Sequence, residues 1–161
     1  MERIVLGSGC FWGAQEILRK IPGVIKTEVG YAGGTLENAT YNEVKTGRTG
    51  HAESVELTYD PQKVSLGQIL DVFFRMHDPT TEDRQGNDVG SQYRSVIFYF
   101  SEDQKKAVLE KIKEIEQKGF WKKPIVTEVV PFSNYYRAEE FHQDYLIKHP
   151  NGYSCHYLRD F

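Results

Sequence analysis

Two hydrophobic patterns take turns along this chain: short apolar or alternating runs, and stripes at helical spacing. Ile4-Val5-Leu6 lies in a run over residues 3–7 that reads as a strand. Phe11, Ala14, Leu18 and Ile21 share a face, which predicts a helix over residues 11–20, ended by Pro22-Gly23. Residues 24–31 read as a second strand. Val55, Leu57 and Tyr59 alternate against Glu56 and Thr58, so residues 54–59 predict a third. Ser65 can cap a helix running to about Met76, with Leu66, Ile69, Leu70 and Phe73 as its stripe. Residues 93–100 predict a fourth strand. Ser101 and Gln104 then fit a capping box before a helix carrying Val108, Ile112 and Ile115. A strand over 125–130 and a short helix over 137–148 follow, the latter stopped by Pro150 and Gly152. Residues 32–50 and 77–92 are rich in Gly, Thr, Asn and other polar residues and read as loops. Long loops in compact domains often carry function.

The order is β-α-β-β-α-β, then helix, strand, helix. Its first six elements match a ferredoxin-like, split β-α-β sheet. The expected class is α+β, with an added C-terminal strand, helix and irregular tail. No repeat or linker divides the chain, so residues 1–161 are expected to form a single catalytic domain, with residues 150–161 as a mobile tail.

Composition narrows the function classes. Charged residues make up 27% and hydrophobic ones 39%, as in a soluble globular protein. A formal net charge of -3 and the lack of a basic block argue against nucleic acid as a partner. No apolar run exceeds strand length, which argues against a membrane span, and Met1-Glu2-Arg3 leads straight into a strand without a signal peptide. A cytoplasmic setting is therefore expected. Two cysteines there do not make a stabilising disulfide framework.

Cys10 is the sharpest chemical feature. It follows Gly7-Ser8-Gly9 and opens the first helix, where backbone N–H groups favour an anion and depress a thiol pKa. Phe11 and Trp12 come next and suggest an apolar wall beside the sulfur. A small buried hydrophobe is the plain alternative for Cys10, and core packing for the two rings. Gly50-His51-Ala52-Glu53 enters the third strand. His51 and Glu53 could ligate a metal, His51 could serve as a base for Cys10, or Glu53 could donate a proton. The last role needs a pKa raised by burial among apolar rings. Residues 85–94 form a polar loop with Asn87-Asp88 between glycines, and its spacing does not fit a calcium loop. Neither a phosphate loop nor a zinc cysteine pairing occurs. Cys155 lies near the end in Gly152-Tyr153-Ser154-Cys155, and a thiol on a mobile tail is what a reactive Cys10 would need as partner.

Several motifs now stand together in one order. They are Gly9-Cys10-Phe11-Trp12-Gly13, Gly30-Tyr31-Ala32-Gly33-Gly34, Thr40-Tyr41, Thr49-Gly50-His51-Ala52-Glu53, Tyr59-Asp60-Pro61, His77-Asp78-Pro79, Gln85-Gly86-Asn87-Asp88 and Gln92-Tyr93-Arg94-Ser95. The set resembles the A class of the peptide-methionine sulfoxide reductases and covers most of the chain. The resemblance implies reduction of the S epimer of methionine sulfoxide, free or in proteins, recycling by thioredoxin, and repair of oxidised proteins. It implies Cys10 as nucleophile, Glu53 as acid, and Tyr41 and Tyr93 as hydroxyls that bind the sulfoxide oxygen. Phe11 and Trp12 match the wall that holds the substrate methyl, and Asp88 a group that positions substrate or solvent. Cys155 occupies the resolving-cysteine region. The tail differs from members with two resolving cysteines: it has one, followed by His156-Tyr157-Leu158-Arg159-Asp160-Phe161.

The chemistry implied is a displacement at sulfur. It needs one anion and one proton donor side by side, so Cys10 and Glu53 are expected to share a proton and titrate as a unit. Cys10 would end as a sulfenic acid and condense with Cys155 to a disulfide, which an external dithiol reopens. No metal or other cofactor is required. Two rival classes remain at this point: a Cys–His hydrolase using Cys10 with His51 or His156, and a redox-sensing module switched by a Cys10–Cys155 disulfide.

Overall fold

A computed structural model describes the whole chain, Met1–Phe161. Strand β1 (Glu2–Ser8) leads into helix α1 (Phe11–Leu18), then β2 (Val24–Ala32), α2 (Tyr41–Val44) and β3 (Ala52–Tyr59). Helix α3 (Leu66–Met76) follows, then a small hairpin of β4 (Arg84–Gln85) and β5 (Asp88–Val89), and strand β6 (Ser95–Tyr99). The last third holds α4 (Glu102–Lys118), β7 (Glu128–Pro131), β8 (Tyr135–Arg137) and α5 (Tyr145–Lys148). None of the helices is long and apolar enough to cross a membrane.

The main sheet runs β7-β6-β1-β3-β2-β8. Its centre, β6-β1-β3-β2, is antiparallel throughout and is the ferredoxin-like arrangement expected from the sequence. Helix α4 carries the chain from β6 to β7, which pair in parallel, and β8 adds antiparallel to β2. Strand periodicity sends Ile4 and Leu6 of β1, and Val55, Leu57 and Tyr59 of β3, to the face covered by α1, α3 and α4. Glu53 shares that register and so points the same way. Val5, Ala52, Val96 and Phe98 turn to the opposite face and build a smaller cluster.

The helices form where the spacing predicts them. Ser65 accepts from Gln68 N at 3.1 Å and Gln68 Oε1 accepts from Ser65 N at 2.9 Å, a complete capping box for α3. The box expected at α4 is only half made. Ser101 Oγ accepts from Gln104 N, but the Gln104 amide turns inward, donating to Arg3 O at 2.8 Å and accepting from Phe100 N at 2.7 Å. It joins β1 to the end of β6 instead. Helix α1 stops short of Lys20, because Pro22 disfavours helical geometry at the residue before it.

Other differences surround the site. The loop over 32–50 contains α2, started by a capping box between Thr40 and Glu43. The loop over 77–92 contains the β4–β5 hairpin. Tyr93 ends a 3-10 turn (Ser91–Tyr93), so β6 begins at Ser95 rather than at Tyr93. The helix expected over 137–148 is a strand, a 3-10 turn (Glu140–His142) and the short α5, broken where Asp144 takes a left-handed φ of 52°. Strand β7 likewise starts three residues beyond Ile125.

Residues 150–161 carry neither helix nor strand, yet several contacts hold them to the domain. Arg159 N donates to Arg75 O at 2.9 Å, and Arg75 Nε donates to Arg159 O at 2.7 Å. Phe161 stacks on Phe120 with 3.6 Å between ring centres. His156 Nε2 reaches Ser8 O at 2.6 Å.

Gln143 replaces a strand partner at the edge of β2. Its Oε1 accepts from Val29 N at 3.0 Å, while its Nε2 donates to Val29 O at 2.9 Å and Ala138 O at 3.0 Å. Val29 is wholly buried, so Gln143→Leu strands its N–H without water. The expected loss is about 1–3 kcal/mol, read as a lower urea midpoint with unchanged slope.

Candidate active site

Cys10 is the residue before α1, 8% exposed, at the junction the sequence predicts. One glycine lets the chain bend there. Gly9 has φ +94°, and a Cβ on it would lie 2.7 Å from Gln85 Cβ. Gln85 is itself pinned by a paired bond to Asp78, accepting from its N at 2.9 Å and donating to its O at 2.8 Å. The hairpin carrying Asp88 is thereby seated against the turn that carries Cys10.

Burial pushes the Cys10 thiol far above its ordinary pKa, and the Glu53 charge raises it further. The Trp12 backbone N–H offsets this only in part. The depressed pKa expected from the helix terminus is therefore not found: desolvation of the sulfur outweighs one turn of aligned N–H groups. The resting residue is a neutral thiol.

Glu53 is 2% exposed and accepts a bond from Phe11 N at 3.2 Å. Burial pushes its carboxyl up to about 8, against the pull of the Phe11 N–H, with Asp88 adding a smaller upward push. The carboxyl thus keeps its proton at neutral pH. Its strand places it directly across from Tyr31 of β2, whose ring packs 5.8 Å from that of Phe11.

Tyr41 opens α2 and Tyr93 closes the 3-10 turn, and the two segments are tied together. Ser91 Oγ donates to Gly47 O and Gln92 Nε2 to Lys45 O. Neither tyrosine hydroxyl has a partner within the chain. Burial pushes Tyr41 up to about 12, with the charges of Glu53, Cys10 and Asp88 adding to it. Tyr93 moves up from burial and the same acidic groups. Cys10, Glu53, Asp88 and both tyrosines therefore lie close enough for the charge of one to shift the others.

The wall beside the sulfur is aromatic. Phe11 is wholly buried and Trp12 half-buried; both rings pack against His142, and Trp12 also stacks on Tyr145 at 3.8 Å. Sequence reasoning missed His142 and Glu139, which hold this wall in place. Trp12 Nε1 donates to His142 Nδ1 at 3.0 Å, and burial keeps that imidazole neutral and able to accept. Glu139 accepts from Tyr31 OH at 2.8 Å and from Tyr41 N at 3.0 Å. Both lie in the stretch read as helix, where nothing in the pattern set them apart from ordinary surface positions.

His51 stands away from this chemistry. Its Nδ1 accepts from Gly34 N at 3.0 Å and its Nε2 donates to Leu36 O at 2.7 Å, so both ring nitrogens brace the loop. Nowhere do three His, Cys, Asp or Glu side chains gather as a metal site. Cys155 is a half-buried free thiol beside Asp88, 3.8 Å from its Oδ2, and Tyr153 OH donates to the same oxygen at 3.1 Å.

A family profile described as peptide methionine sulfoxide reductase matches residues 2–160. The chain belongs to this family. A relative named peptide methionine sulfoxide reductase MsrA, from Mycolicibacterium paratuberculosis, is 52% identical over 98% of this chain and 90% of its own length. Among solved structures, Mxr1 from Saccharomyces cerevisiae in reduced form superposes with a TM-score of 0.93, at 40% identity over 99% of this chain and 92% of that one. Mxr1 in complex with Trx2 superposes at 0.67, with 29% identity over 99% and 90%.

In this reductase the raised Glu53 pKa has a stability consequence. The native state keeps a proton that the unfolded chain releases above about pH 4, its ordinary carboxylate range, so unfolding is increasingly favoured as pH rises toward 8. Glu53→Gln removes that penalty while keeping an oxygen for Phe11 N. The variant is expected to melt higher than the parent at pH 8 and at the same temperature at pH 4, as calorimetry at the two pH values would read.

Proposed function

We propose that Cys10 carries out the family's reaction, reduction of the S epimer of methionine sulfoxide to methionine, with Glu53 as proton donor. The burial of Glu53 against the head of α1 carries this reading, because it supplies a carboxylic acid at neutral pH beside the sulfur. The substrate methyl lies against Trp12, with Phe11 behind it. Tyr41 and Tyr93 donate to the sulfoxide oxygen as negative charge grows there. One such donor is typically worth about 2.7–4 kcal/mol of barrier.

The Cys10 sulfur attacks the sulfoxide sulfur while Glu53 gives its proton to the oxygen and takes the thiol proton in exchange; the transient S–S bond and the substrate S–O bond then break as the hydroxyl passes to the Cys10 sulfur. Two electrons pass from the Cys10 sulfur to the substrate sulfur. The oxygen, with one proton, ends on Cys10 as a sulfenic acid, and methionine leaves. Both groups begin and end uncharged, which suits their burial. Asp88 positions substrate or solvent at the rim.

Cys155 then condenses with the sulfenic acid, releasing water, and thioredoxin reopens the Cys10–Cys155 disulfide. The solved complex of Mxr1 with Trx2 supports thioredoxin as reductant. The tail that carries Cys155 has neither helix nor strand to unmake. The cycle calls on an external dithiol and no bound cofactor. A cytoplasmic setting, where thiols stay reduced, suits two free cysteines, and the product is a repaired methionine.

An assay with a methionine-sulfoxide peptide and dithiothreitol tests the scheme by loss of one oxygen in mass. Cys10→Ser should yield no methionine. Glu53→Gln should slow methionine release by about 10²-fold or more, with little change in substrate binding; a rate within about twofold of the parent would remove Glu53 as the acid. Cys155→Ser should give about one methionine per enzyme and then stall when thioredoxin is the only reductant. Unimpaired cycling would exclude Cys155 as resolver.

A further inference from the structure

The tail does more than deliver a thiol. His156, next to Cys155, is clamped at one ring nitrogen and open at the other. Its Nε2 lies 2.6 Å from Ser8 O, and a carbonyl can only accept, so Nε2 carries the hydrogen. Nδ1 is then a bare lone pair, and it lies 3.8 Å from Cys155 Sγ. The ring rests on Gly13 of α1, where a Cβ would come within 2.6 Å of Nδ1. A nucleophile, a base and a group that orients the base are thus in line: Cys155, His156 and the Ser8 carbonyl.

We propose that His156 is the general base that activates Cys155 for attack on the oxidised Cys10. The inference rests on Cys155 being the resolving thiol. Nδ1 takes the proton from Cys155 Sγ, and the Sγ–Sγ bond forms as the S–O bond of the sulfenic acid breaks. The departing hydroxide recovers that proton and leaves as water. The Cys155 sulfur is oxidised and the Cys10 sulfur reduced.

Without help this step is slow at neutral pH. Burial raises the Cys155 thiol and the Asp88 charge adds to it. Asp88 Oδ2 also lies 3.8 Å from the thiol and accepts from Tyr153 OH at 3.1 Å, but the side chain built for proton exchange near neutral pH is the imidazole. Burial holds His156 below its ordinary pKa. The Ser8 bond and Asp88 pull it back up, and Arg159 pushes it down. His77, the other imidazole that senses it, is pushed down to about 3 and stays neutral, bonded to Phe73 O and Ser95 Oγ. His156 is therefore unprotonated and able to accept near pH 7.

His156→Gln separates base from anchor, since a Gln amide can still donate to Ser8 O. The experiment mixes reduced enzyme with one equivalent of methionine-sulfoxide peptide, without reductant, and follows methionine release and Cys10–Cys155 disulfide formation by rapid quench and mass. The variant should release methionine at the parent rate and form the disulfide about 10²-fold more slowly at pH 7. A dimedone adduct on Cys10 should accumulate, and the rate should recover about tenfold per pH unit as Cys155 ionises unaided. Disulfide formation within about twofold of the parent at pH 7 would overturn the proposal. So would a slow step with the parent's pH dependence, which marks a displaced tail rather than a lost base. Cys155→Ser, run alongside, distinguishes the two levels. If it still cycles with thioredoxin, the resolver assignment itself fails; if it stalls while His156→Gln keeps the parent rate, only the base role is lost.

Discussion

The rest of the site depends on how Glu53 is enclosed. Its strand sends it toward the helices, in line with Val55, Leu57 and Tyr59, to a place where those neighbours are core residues. A carboxylate there would need several donors, and Phe11 N is the one backbone donor it has. Holding the proton is the cheaper state. The same enclosure explains the neutral Cys10 thiol, since the low dielectric that keeps an acid protonated also disfavours a thiolate. Acid and nucleophile are two results of one desolvated pocket.

The fold supplies that pocket from pieces far apart in sequence. The antiparallel centre brings β1 beside β3, so the end of β1 and the start of β3 converge where α1 begins. Added segments close the sides. The hairpin with Asp88 seats on Gly9 through Gln85, and the turn with Tyr93 is tied to the stretch after Tyr41. The 139–143 segment fixes Trp12, Tyr31 and Tyr41 through His142 and Glu139. None of these closures is a long helix or strand. Most are side-chain hydrogen bonds to backbone or ring atoms, and each sets a direction rather than adding bulk.

That difference accounts for what could be read from the chain. The four central strands and the three long helices follow hydrophobic period, because their stability comes from a buried stripe. The Cys10 junction follows from the strand, glycines and helix around it. Alpha-helix α2, the β4–β5 hairpin and the breaks after Arg137 depend on capping, positive φ and single glutamines. Such bonds leave no periodic trace. His142 and Glu139 act through partners about 100 residues or more away, so their sequence surroundings say nothing of them. The raised Cys10 pKa has a related cause: a helix terminus is visible in sequence, whereas the depth at which it is buried is not.

The protonated sulfur of Cys10 also bears on how such an enzyme survives its working conditions. Methionine sulfoxide accumulates when peroxides are abundant, and peroxides attack thiolates in proportion to their charge and accessibility. A sulfur that stays uncharged and almost covered is a poor target for stray oxidant. Its reactivity waits for a ligand whose oxygen can draw the neighbouring proton away. Selectivity against the wrong oxidant is thus built into the resting charge state, before any contact with the right substrate is made.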